Sequence, residues 1–248
     1  ELRRGTELLS TVDPARPARQ ASVSAVFEQS WSHLAAAERN ALSRLSVFRG
    51  GFTLESARQV AGTAPPVLAA LADRSLLRKA DGGRLQLHPL VQQFAAHKLG
   101  DGGDRDATAT AHSRHYLGWL AQHADATRRA DRDTLRETDL EFENIRAAWL
   151  HAAQAGLHDA LGRSAVALMS HCDIRGRLDE GLALLGDAAA SPRVADEPWL
   201  RARLQALAAH MTYRLDDFDT AIASAQRLLA YEVAAAEVVA RPQCLRVL

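Results

Sequence analysis

The sequence predicts a mainly α-helical protein in two parts: a first part with one short β-hairpin, and a second part of helices alone. Three observations carry that expectation. Two apolar-alternating arms flank Asp81-Gly82-Gly83, a strong short-range hairpin signal. Beyond Asp106 there is no strand pattern, proline is missing until Pro192, and alanine is abundant. In that second part "GRLDEGLALLGDAA" from Gly176 and "DDFDTAIASAQRLL" from Asp216 align without a gap, about 40 residues apart.

The elements follow in chain order. Residues 1–20 pair a short amphipathic start with a Pro/Arg-rich connector, read as the end of a preceding helical domain and its linker. From Ser22 to Leu34, Val23, Val26, Phe27, Trp31 and Leu34 recur at helical steps. A second helix spans Ala37 to Val47 and is stopped by Arg49-Gly50-Gly51. Thr53 is the N-cap of a third, with Glu55 in its first turn, and Gly62 closes it. Pro65 and Pro66 fit the first turn of a fourth. The hairpin follows, and then a helix from Pro89 to about Leu99. Helices followed by a two-stranded ribbon describe a winged helix, assigned to 21–100.

"GDGGDRD" at Gly100 to Asp106 is glycine-rich and charged and marks a linker, assigned to 101–107. The helices expected beyond it are Ala109–Ala124, Asp131–Ala155, His158–Asp173, Leu178–Ala190, Pro198–Leu215 and Phe218–Ala235, with breaks at Gly156, Gly176, "SPRVADEP" and "DD". In the two similar segments Leu178 matches Phe218 and Gly181 matches Ala221. A small residue three places after a large apolar one lets two helices approach closely, as in stacked helical hairpins. The offset exceeds the ~34 residues of the standard tetratricopeptide repeat. Residues 108–248 are therefore expected to be a degenerate, incomplete array of that kind, with a groove for an effector or protein partner.

Composition bounds the function classes. Thirty basic residues balance thirty acidic ones, which argues against a histone-like or heparin-like surface. Cys172 and Cys244 stand far apart without metal-ligand spacing, the usage of a reduced, cytoplasmic protein. No apolar run approaches the ~18 residues of a membrane span. The chain opens on Glu1 and closes just after a helical stretch, so it reads as part of a longer protein.

His88 is the residue that most invites a functional role. It lies between a strand arm and Pro89, which makes it the N-cap of the helix behind. That helix end presents unpaired N–H groups, a natural anion site, although the plainer reading of the residues is that His88 caps its own helix or packs under the wing. DNA contact is a rival use of a winged helix. In "PPVLAALADRS", the helix in the recognition position, Arg74 is the only cation, and Arg78, Lys79 and Arg84 make a small basic tip on the wing. DNA is thus possible without being favoured. His112 with His115, or His151 with His158, lack the further ligands of a metal site. Glu141, Glu143 and Asn144 facing Arg146 read as an ordinary charged helix face, and Phe142, Ile145 and Trp149 as core. Neither a phosphate loop nor a nucleophile motif occurs, so no enzyme is expected in this chain.

"SVSAVFEQSWSHLAAAERNALSRLSVFRGGFTLESARQVAG" and "VLAALADRSLLRKADGGRLQLHPLVQQFAAHKL" resemble the winged-helix module of bacterial NB-ARC-type signalling ATPases of the STAND class. "DLEFENIRAAWLHAAQAG" and "RGRLDEGLALL" are similar to the opening of the repeat sensor in those proteins. The resemblance implies that Leu87-His88-Pro89 stands where the family has Met-His-Asp. His88 would then contact the phosphate of ADP bound to a nucleotide-binding domain outside this chain, and an effector on the repeats would release the switch. Pro89 in place of the aspartate removes any role of that carboxylate.

Overall fold

The computed structural model describes residues 27–235, so the reading of 1–20 and of Cys244 lies outside the described residues. The N-terminal helix α1 is described over 27–32. It is followed by α2 (Ala36–Leu45), β1 (Gly51–Phe52), α3 (Leu54–Ala61), α4 (Pro65–Asp73), β2 (Leu77–Ala80), β3 (Arg84–Leu87) and α5 (Pro89–Asp101). The strands form an antiparallel sheet in the order β1-β3-β2. Helix, strand, helix, helix, hairpin is the winged-helix order, and Gly62–Ala64 is the short turn of its helix-turn-helix.

Local chemistry explains the boundaries. The Thr53 hydroxyl accepts from the Ser56 N–H at 3.0 Å, and Gly62 ends α3 in the left-handed region at φ 63°. Pro65 and Pro66 occupy the first turn of α4, where their missing N–H groups cost nothing. Leu77 pairs with Leu87 and Arg78 with Gln86, closing the hairpin around Asp81–Gly83.

Two expectations are corrected. Arg49-Gly50-Gly51 does more than stop a helix: Gly51 and Phe52 pair with Gln86 and Leu85 as a third strand, so the hairpin is part of a three-stranded sheet. The glycine-rich "linker" is mostly helix. α5 runs on through Gly100 and Asp101, α6 starts at Arg105, and Asp104 is held by Arg44 at 2.8 Å.

The second part is a stack of helices: α6 (Arg105–Gln122), α7 (Ala124–Arg128), α8 (Arg132–Ala155), α9 (His158–Ile174), α10 (Leu178–Ala190), α11 (Pro192–Ala195), α12 (Pro198–Arg214) and α13 (Phe218–Ala235). Asp131 caps α8 by accepting from the Thr134 N–H at 2.9 Å, and Gly156 and Gly176 end their helices at positive φ. The short helix α7 lies almost wholly between two expected helices, and α11 lies in a stretch that sequence periodicity reads as a break. The small residues of the two similar segments sit at close helix contacts. A Cβ on Gly181 would stand 2.8 Å from the Cβ of Cys172 on α9, and Ala221 is fully buried. The result is a mainly α-helical fold whose small antiparallel sheet is followed by an array resembling a helical-repeat region.

One continuous apolar cluster runs from Leu34 in the winged helix to Met211 in α12. Phe48 stacks on Phe52 at 4.5 Å and meets His112 and Tyr116 of α6 edge-on at 5.5 and 6.2 Å. The two parts share a core, so burying apolar surface on one side of that seam stabilises both.

Candidate functional site

The surface to examine for nucleic-acid contact comprises α4 and the wing. On α4 the outward positions are Pro65, Pro66, Ala69 and Asp73, which offer no guanidinium, ammonium or amide for base edges. Its N-terminus is no phosphate cradle either: two of its residues are prolines, and the Val67 and Leu68 N–H groups both bond to the Ala64 carbonyl. Arg74, just past the helix, turns back to Glu38 at 3.3 Å. On the wing, Arg78 and Lys79 are exposed, with the Arg78 guanidinium resting on the Gln86 side chain at 2.9 Å. These two cations are free to meet phosphates.

Arg84 is different, and its place on an exposed basic tip is corrected. It is buried, because α8 covers the outer face of the sheet where β1 and β3 meet. Its two terminal nitrogens grip the two oxygens of Glu141, at 2.9 Å from Nη2 to Oε2, and Nη2 also donates to the Gly51 carbonyl at 2.6 Å. Glu141 raises the Arg84 pKa further above its ordinary value, mainly through this hydrogen bonding. Asn144, one turn along α8, completes the network. Its Nδ2 donates to Glu141 and to the Gly51 carbonyl at 2.9 and 3.0 Å, while its Oδ1 accepts the Arg49 N–H at 2.7 Å. A Cβ on Gly51 would stand 3.1 Å from Arg84 Nε, so glycine there lets the guanidinium lie across the strand.

Glu141 and Asn144 were therefore misread as surface charge. Only Glu143, exposed and 3.6 Å from Arg146, behaves as an ordinary helix-face pair. Polar residues next in sequence to the core residues Phe142 and Ile145 carry no sign that a second surface will cover them.

Histidines cluster beside the same seam. His112 is buried, 3.4 Å from Asn144 Oδ1, and desolvation lowers its pKa to about 4. His115 reaches the Ser56 hydroxyl of α3 at 3.1 Å, and His151 the Ser113 hydroxyl at 2.9 Å. Burial lowers both pKa values. Each ring is tied to a separate hydroxyl or amide, an arrangement that fixes helices. His171, fully buried in α9, stacks on Phe142 at 5.4 Å and is lowered to about 4, again chiefly by desolvation. His112 and His171 are thus core residues. Among the described residues no group of His, Cys, Asp or Glu is placed to hold a metal ion. Cys172 is free and buried, its thiol pushed up to about 12 by desolvation.

His88 is exposed and caps α5: its Nδ1 accepts the Leu90 N–H at 3.2 Å. The imidazole satisfies one of the helix's free donors, the capping role that its position allowed.

The comparisons with known proteins bear on the whole arrangement. A protein of Mycobacterium bovis and one from each of two strains of Mycobacterium tuberculosis, all named HTH-type transcriptional regulators, are 33% identical to this chain over 141 residues. This chain is similar to transcriptional regulators. The match takes in 51% of the chain, which covers 16% of the length of each relative. No family model and no solved structure matches.

Those relatives, named HTH-type transcriptional regulators, overturn the resemblance to NB-ARC-type STAND ATPases. ADP or ATP as cofactor, an intramolecular nucleotide-binding domain as partner and the ADP contact of His88 all rested on that resemblance and fall with it. The low rank given to DNA as a partner is corrected on the same ground. Membrane contact gains nothing: no described helix is long and apolar enough to cross a bilayer.

Proposed function

We propose that this chain is part of an HTH-type transcriptional regulator and that its winged helix contacts DNA through the wing. The observation that carries the reading is the complete helix–strand–helix–helix–hairpin order in a chain whose relatives are named HTH-type transcriptional regulators. The reading keeps a winged-helix unit over 21–100, a connection over 101–107 and a helical array from 108 onward. The chain has no catalytic step of its own and works in the cytoplasm, where bacterial DNA lies.

The side chains shape how such contact would work. With no base-reading group on α4, the free cations are Arg78 and Lys79, and contacts from lysine and arginine to phosphate give affinity without sequence information. Binding by this module is then salt-dependent and nearly indifferent to sequence, and base selection falls to other parts of the regulator.

Fluorescence anisotropy with labelled duplexes, over a salt series, tests this. Each phosphate contact contributes about one unit to the slope of log K against log salt. Neutralising both cations as Arg78→Gln and Lys79→Gln should therefore flatten the slope by about two and weaken all sequences alike. Absence of duplex binding at about 0.1 mM protein in low salt, or an unchanged slope in the double variant, refutes the proposal.

A further inference from the structure

The far end of the array carries a groove of about 450 Å³ whose floor is α12 and whose walls are α13 and the α11 turn. Its floor residues Ala202, Ala208 and Ala209 are small, and a neighbouring hollow over Gly186 and Ala189 of α10 shares Arg201, Gln205 and Ala208 with it. From Pro198 to Thr212 the floor runs about 21 Å at 1.5 Å per residue. That is the length of a four-turn helix, and alanine and glycine let two helix backbones approach closely.

The charge lining the groove has one sign. Among the described residues its only charged side chains are Arg201 and Arg227, both exposed, and no carboxylate lines it. Among the described residues Arg201 forms no ion pair or hydrogen bond, and Arg227 has only the Ser224 hydroxyl at 3.2 Å. Elsewhere on the array Arg146, Arg163, Arg175, Arg177 and Arg214 each have an acidic partner within 4.0 Å. Leu228 is the apolar wall against which a non-polar face would pack.

We propose that this groove binds an amphipathic helix of a partner protein, its apolar face on the alanine floor and its acidic flank against Arg201 and Arg227. The groove is separate from the wing, so this inference stands or falls independently of DNA contact.

The probes are two fluorescein-labelled peptides of about 14 residues, the groove's length, with the same leucine–alanine face and either glutamate or lysine flanks. Anisotropy with the full chain should show the glutamate peptide binding and the lysine peptide not. Arg201→Glu with Arg227→Glu should weaken the glutamate peptide about tenfold or more and bring the lysine peptide on. Ala208→Tyr, which fills the floor without touching charge, should abolish binding of the glutamate peptide and, added to the charge reversal, that of the lysine peptide, while an unchanged far-ultraviolet dichroism spectrum shows each variant folded. Equal affinity for the two peptides, or no binding of the glutamate peptide at about 1 mM, overturns the proposal. It is overturned equally by binding that appears only after residues 236–248 are removed, which makes the chain's own tail the occupant. A self-association in gel filtration that the charge reversal dissolves assigns the groove to a second copy and also overturns it.

Discussion

Removing the Glu141 carboxylate should cost this protein more stability than any other single change to a charged side chain described above. Glu141→Ala leaves the Arg84 guanidinium buried under α8 with the Gly51 carbonyl as its remaining partner, and takes one acceptor from Asn144. Breaking a buried pair by deleting one partner costs about 3–5 kcal/mol, because the other charge is left unpaired out of water. Both side chains retain 11% of their exposure, so some solvent reaches the pair and the lower end, about 3 kcal/mol, is expected. For a chain of this size each kcal/mol moves the melting temperature by about 2–4 °C, which gives a loss of about 6–12 °C. Thermal melts followed by circular dichroism provide the measurement, with Arg84→Ala alone and both changes together completing a double-mutant cycle. The double variant should be less harmed than the sum of the singles, since it leaves no orphaned charge. A Glu141→Ala loss below about 1 kcal/mol, the level of an exposed pair, would refute the reasoning, as would a cycle without coupling.

Acid should weaken the fold through its buried histidines. His112 and His171 have pKa values of about 4 in the folded protein against about 6.5 in an unfolded chain, so between those pH values the unfolded state binds more protons. Their contribution is complete above about pH 6.5 and is lost as pH falls toward 4; each is worth at most about 3 kcal/mol. Urea titrations of His112→Gln from pH 7 to 4.5 should show a slope shallower by about 1.4 kcal/mol per pH unit across that window, and an equal slope would remove His112 from the account. A methyl group should also be felt at Gly162, where a Cβ would lie 2.6 Å from the Trp199 ring. Gly162→Ala should destabilise by about 1–3 kcal/mol through overpacking between α9 and α12, and a gain in stability, as an exposed helix glycine would give, contradicts that contact.

The local elements are legible in the chain because their causes lie within a few residues of one another. Thr53 and Ser56, Gly62, the paired prolines, Asp81-Gly82-Gly83, Asp131 and Gly156 all act over one turn of chain, and helices and hairpin appear where those signals stand. His88 belongs to this group, since its cap reaches only to Leu90. Residues joined across long separations could be decided only by the tertiary structure. Arg84 meets Glu141 57 residues away, and the Gly51 carbonyl and Arg49 N–H meet Asn144 at separations of 93 and 95. Periodicity assigns a residue to a face of its own helix or strand, and says nothing of which second surface will cover that face. An arginine on a wing, an acid on a helix and the second glycine of a turn therefore read as solvent features. Folding α8 over the sheet takes all three out of water together, and in that low-dielectric setting each becomes a partner the others require.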